Sequence, residues 1–302
     1  MANKHFGKIG SVWKHLPLSE LLFFELIHEY WETHSGAAIY DISHSWERDY
    51  GFYHFYHHSN RSSILKDSQY YQLLQRLNHV NGEPNIYPGS PYIAFNVLEN
   101  KGKNYYFCDL EKSSLENINL IASDKGIHHN HFSLINTDGI TTILEKSRTV
   151  NEAERKNIFV HIDPYHPFER INGMNSMELF FNLTKHNFKT MIWYGFDSLV
   201  DREKVRDEII VTAKNSSIDF HLNNVWCGEI ELSSIDLEQQ EINPGVYGCG
   251  IMVGNMSPNT VIVCEQLGRE LAKIYQNTML PNGTSGSLLY SSYYRDGSSR
   301  TF

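Results

Sequence analysis

Four short apolar runs, each closed by an aspartate and separated from the next by helix-forming sequence, constrain this chain more than any other feature. They cover residues 37–41, ending at Asp41; 104–109, ending at Asp109; 131–136, running into Asp138 and Gly139; and 157–163, ending at Asp163. Strands alternating with helices predict a largely parallel sheet covered by helices on both faces. Such sheets bind ligands outside the carboxyl ends of their strands, near the point where strand order reverses. A row of acids along that edge suits a nucleoside ligand, whose ribose hydroxyls and exocyclic amine need acceptors. Any one of these aspartates could equally serve as a turn former or helix cap; the four together point to a site.

The remaining elements fit the same plan. Residues 17–32 place Leu18, Leu21, Leu22, Glu25, Leu26 and Tyr30 at helical spacing, with Pro17 in a first-turn position. Residues 52–83 are polar, aromatic and His-rich and read as a helical insertion after the first strand, with a helix near 67–77. Ser90 is a candidate N-cap with Pro91 behind it. Further helices are expected at 113–122, 176–185, 201–213 and 259–276. Further strands are expected at 190–194, 224–232 and 250–253, the last of these closing the sheet. A Ser/Tyr-rich tail follows from 285, its tyrosines expected to pack on the domain. A 302-residue chain of this pattern is organised as a core, residues 1–51 and 84–302, carrying the 52–83 insertion subdomain.

Composition narrows the function. With 26 Lys and Arg against 35 Asp and Glu, the formal net charge is −9, which excludes a general nucleic-acid coat, because non-specific affinity for phosphate comes from basic residues. No apolar run approaches the roughly 18 residues that a membrane span needs, and the first residues lack an apolar signal core. A soluble, cytoplasmic protein without a membrane partner is expected. Cys108, Cys227, Cys249 and Cys264 form no CxxC pair and are expected as free core thiols. The 16 histidines cluster at His54/His57/His58, at His128/His129/His131 and at His161/Asp163/His166. No HExxH or finger spacing accompanies them, so solvated loop histidines are expected and no metal.

Particular motifs resemble the bacterial 23S ribosomal RNA adenine-N6 methyltransferases, a Rossmann-like family that uses S-adenosyl-L-methionine (AdoMet). Tyr87-Pro88-Gly89-Ser90-Pro91 is similar to its Tyr-Pro-Gly-Ser-Pro motif, and Gly10 to His15 to its Leu-Lys-His entry. Phe107-Cys108-Asp109-Leu110 resembles the strand whose acid holds the AdoMet ribose, and Thr137-Asp138-Gly139 its adenine-binding Asp-Gly turn. Ile162-Asp163-Pro164-Tyr165-His166 sits where the family has Ile-Asp-Pro-Pro-Tyr. Trp193-Tyr194 and the segments 248–258 and 283–286 follow in order. The resemblance implies a Rossmann-like AdoMet methyltransferase fold, a mostly parallel sheet with helices on both faces.

Two departures stand out. The family's first strand runs into Asp-Thr-His-Ala-Gly-Ala-Gly; with the first strand at 37–41, its glycine positions fall on Ser45 and Glu47. In the catalytic motif, Tyr165 stands for the second proline and His166 for the tyrosine. The resemblance implies an AdoMet-dependent N-methyltransferase, releasing S-adenosyl-L-homocysteine, with an adenine in RNA or a small amine-bearing molecule as acceptor. Lys14, His44, Ser90, Asp109, Asp138 and Gly139 would line the cofactor site. Asp163 and Pro164 would orient the acceptor amine, and Tyr165 and His166 would shape its surroundings. The alternative is a repurposed methyltransferase fold that binds another ligand and transfers no methyl group, as a biosynthetic enzyme or an interaction module.

Overall fold

The computed structural model describes residues 6–79, 82–98, 103–220, 222, 224–233, 247–276, 278–279 and 285–293. Its strands are β1 (Glu29–Glu32), β2 (Ile39–Asp41), β3 (Ile86–Pro88), β4 (Asn104–Cys108), β5 (Phe132–Ile135), β6 (Ile158–Ile162), β7 (Lys189–Phe196), β8 (Trp226–Ser233), β9 (Gly248–Gly254), β10 (Thr278–Met279) and β11 (Ser285–Tyr293). The helices are α1 (Ile9–Phe24), α2 (Trp46–Arg48), α3 (His54–His58), α4 (Ser63–Asp67), α5 (Gln69–Leu77), α6 (Ser90–Val97), α7 (Lys112–Asp124), α8 (Gly139–Arg148), α9 (Glu152–Arg155), α10 (Ser176–Lys185), α11 (Leu199–Asn215) and α12 (Pro258–Ile274).

Nine strands form one sheet in the order β10-β11-β8-β9-β7-β6-β1-β4-β5. From β5 to β7 every pairing is parallel. β9 runs against both β7 and β8, and β11 runs against β8 and β10. β8 and β10 thus share the direction of the parallel five, leaving only β9 and β11 reversed. Among the parallel five, the order is the third, second, first, fourth and fifth in sequence, the Rossmann arrangement with its switch point between β1 and β6. The expected α/β class and mostly parallel sheet are those observed.

Alternate residues of the central strands enter two cores, one on each face. Tyr30, Phe159, Met191 and Ile251 pack with α1, α6, α7 and α12. Their neighbours Trp31, Val160, Ile192 and Met252 pack with α8, α10 and α11. Residues 46–77 are helical in several short pieces, and α4 and α5 lie against α12 and α1.

Three expectations need correction. The helix read at 17–32 begins instead at Ile9, carries Pro17 in its interior, and ends at Phe24. Glu25 turns the chain out of the helix because its carboxylate is used elsewhere. It pairs with Lys189 at 2.7 Å and accepts from Ser257 N (2.8 Å) and Thr260 Oγ1 (2.6 Å) at the start of α12. The first strand of the large sheet is therefore Glu29–Glu32, and the run taken for it forms β2, paired only with β3. Finally, β9 does not close the sheet, because the Ser/Tyr-rich segment supplies β11. Tyr290 packs there against Trp13 and Tyr293 bonds Arg206; Tyr294 lies outside the described residues. The four cysteines are buried and free.

Candidate active site

Moving the first strand moves the turn that follows it. β1 continues as Glu32-Thr33-His34-Ser35-Gly36-Ala37-Ala38, an acid, a Thr-His pair and a glycine in the order of the motif quoted above, with Ala38 at its second glycine. Ser45 and Glu47, assigned to that turn when the strand was placed at 37–41, belong to α2 and its cap. Glu47 pairs with Lys8 at 2.6 Å. His44, expected to line the cofactor site, is exposed, pairs with Asp49 at 2.5 Å and stacks on Tyr53. No described contact brings it to the ends of β1, β4 or β6.

Backbone of the 33–38 turn is held from several sides. Thr33 N donates to His161 O (3.1 Å) on β6, and Ser35 N to Cys108 O (3.0 Å) on β4. Gly36 N donates to Asp109 Oδ2 (2.7 Å) and Ala37 N to the Tyr40 hydroxyl (2.7 Å). Gly36 has φ +59°, a left-handed conformation that glycine adopts without steric cost. The first residue of α8, Gly139, lies so close to the turn that a Cβ would fall 2.0 Å from Thr33 O. Any side chain there would push α8 away from β1.

The acids take distinct positions around this turn. Asp109 accepts from Gly36 N and from Glu111 N (2.7 Å), which leaves two of a carboxylate's roughly four acceptor sites unused by these bonds. Leu110 beside it is 73% exposed, an apolar surface next to this carboxylate. Asp138 caps α8 through Ile140 N and Thr141 N, and Asp41 lies on β2, outside the large sheet.

Glu32, which the strand misplacement concealed, is fully buried where Asp41 had been expected to stand. It accepts from Tyr30 Oη (3.1 Å), from His161 Nδ1 (2.8 Å) and from Ser90 Oγ. Burial pushes its carboxyl up, and the nearby Asp163 charge adds to this, against the opposing effects of His161 and Ser90. Ser90 is thus the first residue of α6 rather than its cap, Gly89 filling the cap position. Its hydroxyl is consumed one layer beneath the turn. His161 is completely buried, contrary to the expectation of a solvated loop histidine, and its Nε2 has no partner among the described residues.

β6 ends at Ile162, and Asp163 follows at the switch point. Burial acts to raise its carboxyl, but Lys14 and His161 outweigh burial and hold it below the ordinary value. Lys14, one turn into α1, makes a direct ion pair with Asp163. Lys14 is therefore committed to the end of β6. A cavity of about 720 Å³ opens beside this pair. α1 contributes Gly10, Ser11 and Lys14; the segment after β6 contributes Asp163 to Glu169; and Trp193, Phe196 and Asp197 come from the end of β7. Tyr165 and His166 both line it, their rings edge to face at 4.5 Å.

Among the described residues no group of three or more His, Cys, Asp or Glu could hold a metal ion, and no helix is long and apolar enough to cross a membrane.

The chain is similar to the solved structure of a DUF519 protein from Legionella pneumophila strain Philadelphia 1, with 22% identity over 95% of this chain and 98% of that one and a TM-score of 0.61. An rRNA methylase from Streptococcus thermophilus matches over 81% of this chain and 95% of its own at 10% identity and TM-score 0.37. A methyltransferase from Streptococcus mutans, described as putative and solved with S-adenosylhomocysteine, matches over 80% and 94% at 10% identity and TM-score 0.34. The Legionella structure shares the fold over nearly its whole length. No protein-family model and no curated protein matches the sequence.

Proposed function

We propose that this protein is an AdoMet-dependent methyltransferase acting on an amine nitrogen. The observation that carries the reading is a juxtaposition at three neighbouring strand ends. A glycine turn follows β1, an acid with spare acceptor capacity follows β4, and an Asp-Pro pair beside a cavity follows β6. AdoMet would fit the first two. Asp109 would accept from the ribose hydroxyls, Leu110 would cover the adenine, and Asp138 with Gly139 would meet its polar edge. Gly36 would let the backbone approach the methionine end, and Ser90 acts indirectly, by fixing Glu32 below the turn. When bound, AdoMet supplies a methyl carbon whose bond to sulfur breaks, leaving its electron pair on sulfur, as the amine lone pair forms the new N–C bond.

Asp163 and Pro164 orient that amine. An ionised Asp163 and the Pro164 carbonyl both accept hydrogen bonds, so an amine that donates to both turns its lone pair away from them and toward the methyl group. Lys14 keeps Asp163 ionised and fixed. Tyr165 and His166 supply rings against an acceptor, and the proton lost by nitrogen leaves through the open side of the cavity. An adenine amine in RNA, which the family resemblance implies, satisfies the Asp-Pro pair, as does a small amine.

The test is methyl transfer from labelled AdoMet by wild type and by Asp163→Asn. The variant should lose transfer while S-adenosylhomocysteine still raises the melting temperature, since a ligand at about 100 Kd adds roughly 2.7 kcal/mol. If neither AdoMet nor its product stabilises the wild type, the repurposed-fold alternative replaces this reading.

A further inference from the structure

Resting on the methyltransferase reading, the cavity beside Asp163 points to its acceptor: we infer a small amine with net positive charge, not a polyanionic nucleic acid. A volume of about 720 Å³ lies in the range of sites that enclose a whole small molecule, roughly 300–1,000 Å³.

Charge decides between the classes. Both lysines on the wall are committed, Lys14 to Asp163 and Lys8 to Glu47. Glu169, Asp197 and Asp201 also line the cavity, and none has a cationic partner among the described residues. Asp201 accepts only the backbone N–H of Asp197 and Ser198 caps the helix beneath it. The arginines next in sequence are engaged elsewhere, Arg170 with Glu178 and Arg202 with Glu231. Along the described lining a strand of phosphates would meet three carboxylates and no uncommitted Lys or Arg, whereas nucleic-acid binding requires Lys and Arg to replace counterions.

The same walls suit a cation. Phe168, Trp193 and Phe196 stand with Tyr165 around the cavity, and aromatic faces attract ammonium groups through the ring quadrupole. Tyr165, which lines the cavity, is 71% exposed, so its ring is open to an incoming ligand. The positive charge belongs on a second group of the acceptor, held by the aromatic and acidic wall. The reacting nitrogen stays neutral at Asp163, keeps its lone pair for the methyl carbon, and releases its proton to solvent.

Spermidine serves as the cationic probe and an adenine-containing oligoribonucleotide as the anionic one. Each is titrated into wild type and the double variant Glu169→Gln/Asp197→Asn, with and without S-adenosylhomocysteine. Both substituted side chains are exposed, and a melting curve confirms folding. The expected result is spermidine binding to wild type that weakens roughly tenfold in the double variant and fades with added salt, with no oligonucleotide binding to either. Spermidine binding that is absent from wild type, or unchanged in the variant, overturns the inference. So does oligonucleotide binding that tightens when the two charges are removed. Failure of S-adenosylhomocysteine to bind, with the spermidine pattern intact, overturns the methyltransferase reading and leaves the cavity's preference for cations standing.

Discussion

Replacing Lys14 by Met removes the one lysine or arginine paired with Asp163 among the described residues and keeps most of the packing volume on α1. Lys14 and Asp163 are 13% and 19% exposed, so the abandoned carboxylate is largely, though not wholly, desolvated. Breaking a fully buried pair by removing one partner costs about 3–5 kcal/mol; partial exposure brings the expectation here to about 2–3 kcal/mol. For a chain of this size that corresponds to a fall in Tm of about 3–5 °C. The pH dependence separates this cause from lost packing. In the wild type Asp163 is held below its ordinary value, so its contribution is present above the unfolded pKa of about 3.9 and lost as pH falls through the lower folded value. In Lys14→Met burial acts without its main opponent, the carboxyl rises, and the folded state takes up a proton before the unfolded chain does. The difference between the two proteins should therefore shrink from about pH 7.5 to about pH 5. Paired thermal melts at the two pH values measure it, and a difference that stays constant would refute the electrostatic argument.

Asp109→Ala should weaken S-adenosylhomocysteine binding by about 1.5–3 kcal/mol, because a charged acceptor for hydroxyl donors is lost; calorimetry reads this, and an unchanged affinity would reduce Asp109 to a turn residue. Asp163→Asn should lose methyl transfer by at least about a hundredfold while cofactor affinity moves by no more than a few fold, checked by pairing transfer assays with calorimetry. Arg206→Met should destabilise by about 3–5 kcal/mol in urea unfolding. The substitution strands Glu229, which is 2% exposed and whose carboxyl burial already pushes up, and it removes the bond to Tyr293 on β11.

What was legible in the sequence follows the strength of local signals. β6 reads as Ile-Phe-Val-His-Ile, buried along its length, and α10 carries a capping box between Asn175 and Glu178; both are written locally and both were recovered. Asp109, Asp138 and Asp163 stand after strands, as the apolar runs before them predict. β1 was missed because Tyr30 falls in helical register with Leu22 and Leu26, and nothing local marks Glu25 as the capture point for Lys189 and the start of α12. That single slip hides Glu32 and the Gly36 turn, and it makes both glycine positions look lost when only the second, at Ala38, departs from the motif. The signal that could have found them was the acid-Thr-His-x-Gly string at 32–36. Lys14 reads in the sequence as a cofactor-site residue, whereas its partner in the structure, Asp163, lies 149 positions away, and no spacing rule connects the two. β11 was missed for a similar reason: its Ser/Tyr composition is a strand only when β8 offers an edge.

Titration calorimetry of S-adenosylhomocysteine into the wild-type protein tests most directly whether the ends of β1, β4 and β6 form an AdoMet site. One site per chain is expected, with a Kd of about 1–100 μM, equivalent to roughly 5.5–8.2 kcal/mol, and with the melting temperature rising as the ligand concentration does. A folded protein that shows no heat and no stabilisation at about millimolar ligand, where even a Kd near 1 mM would register, would contradict the account.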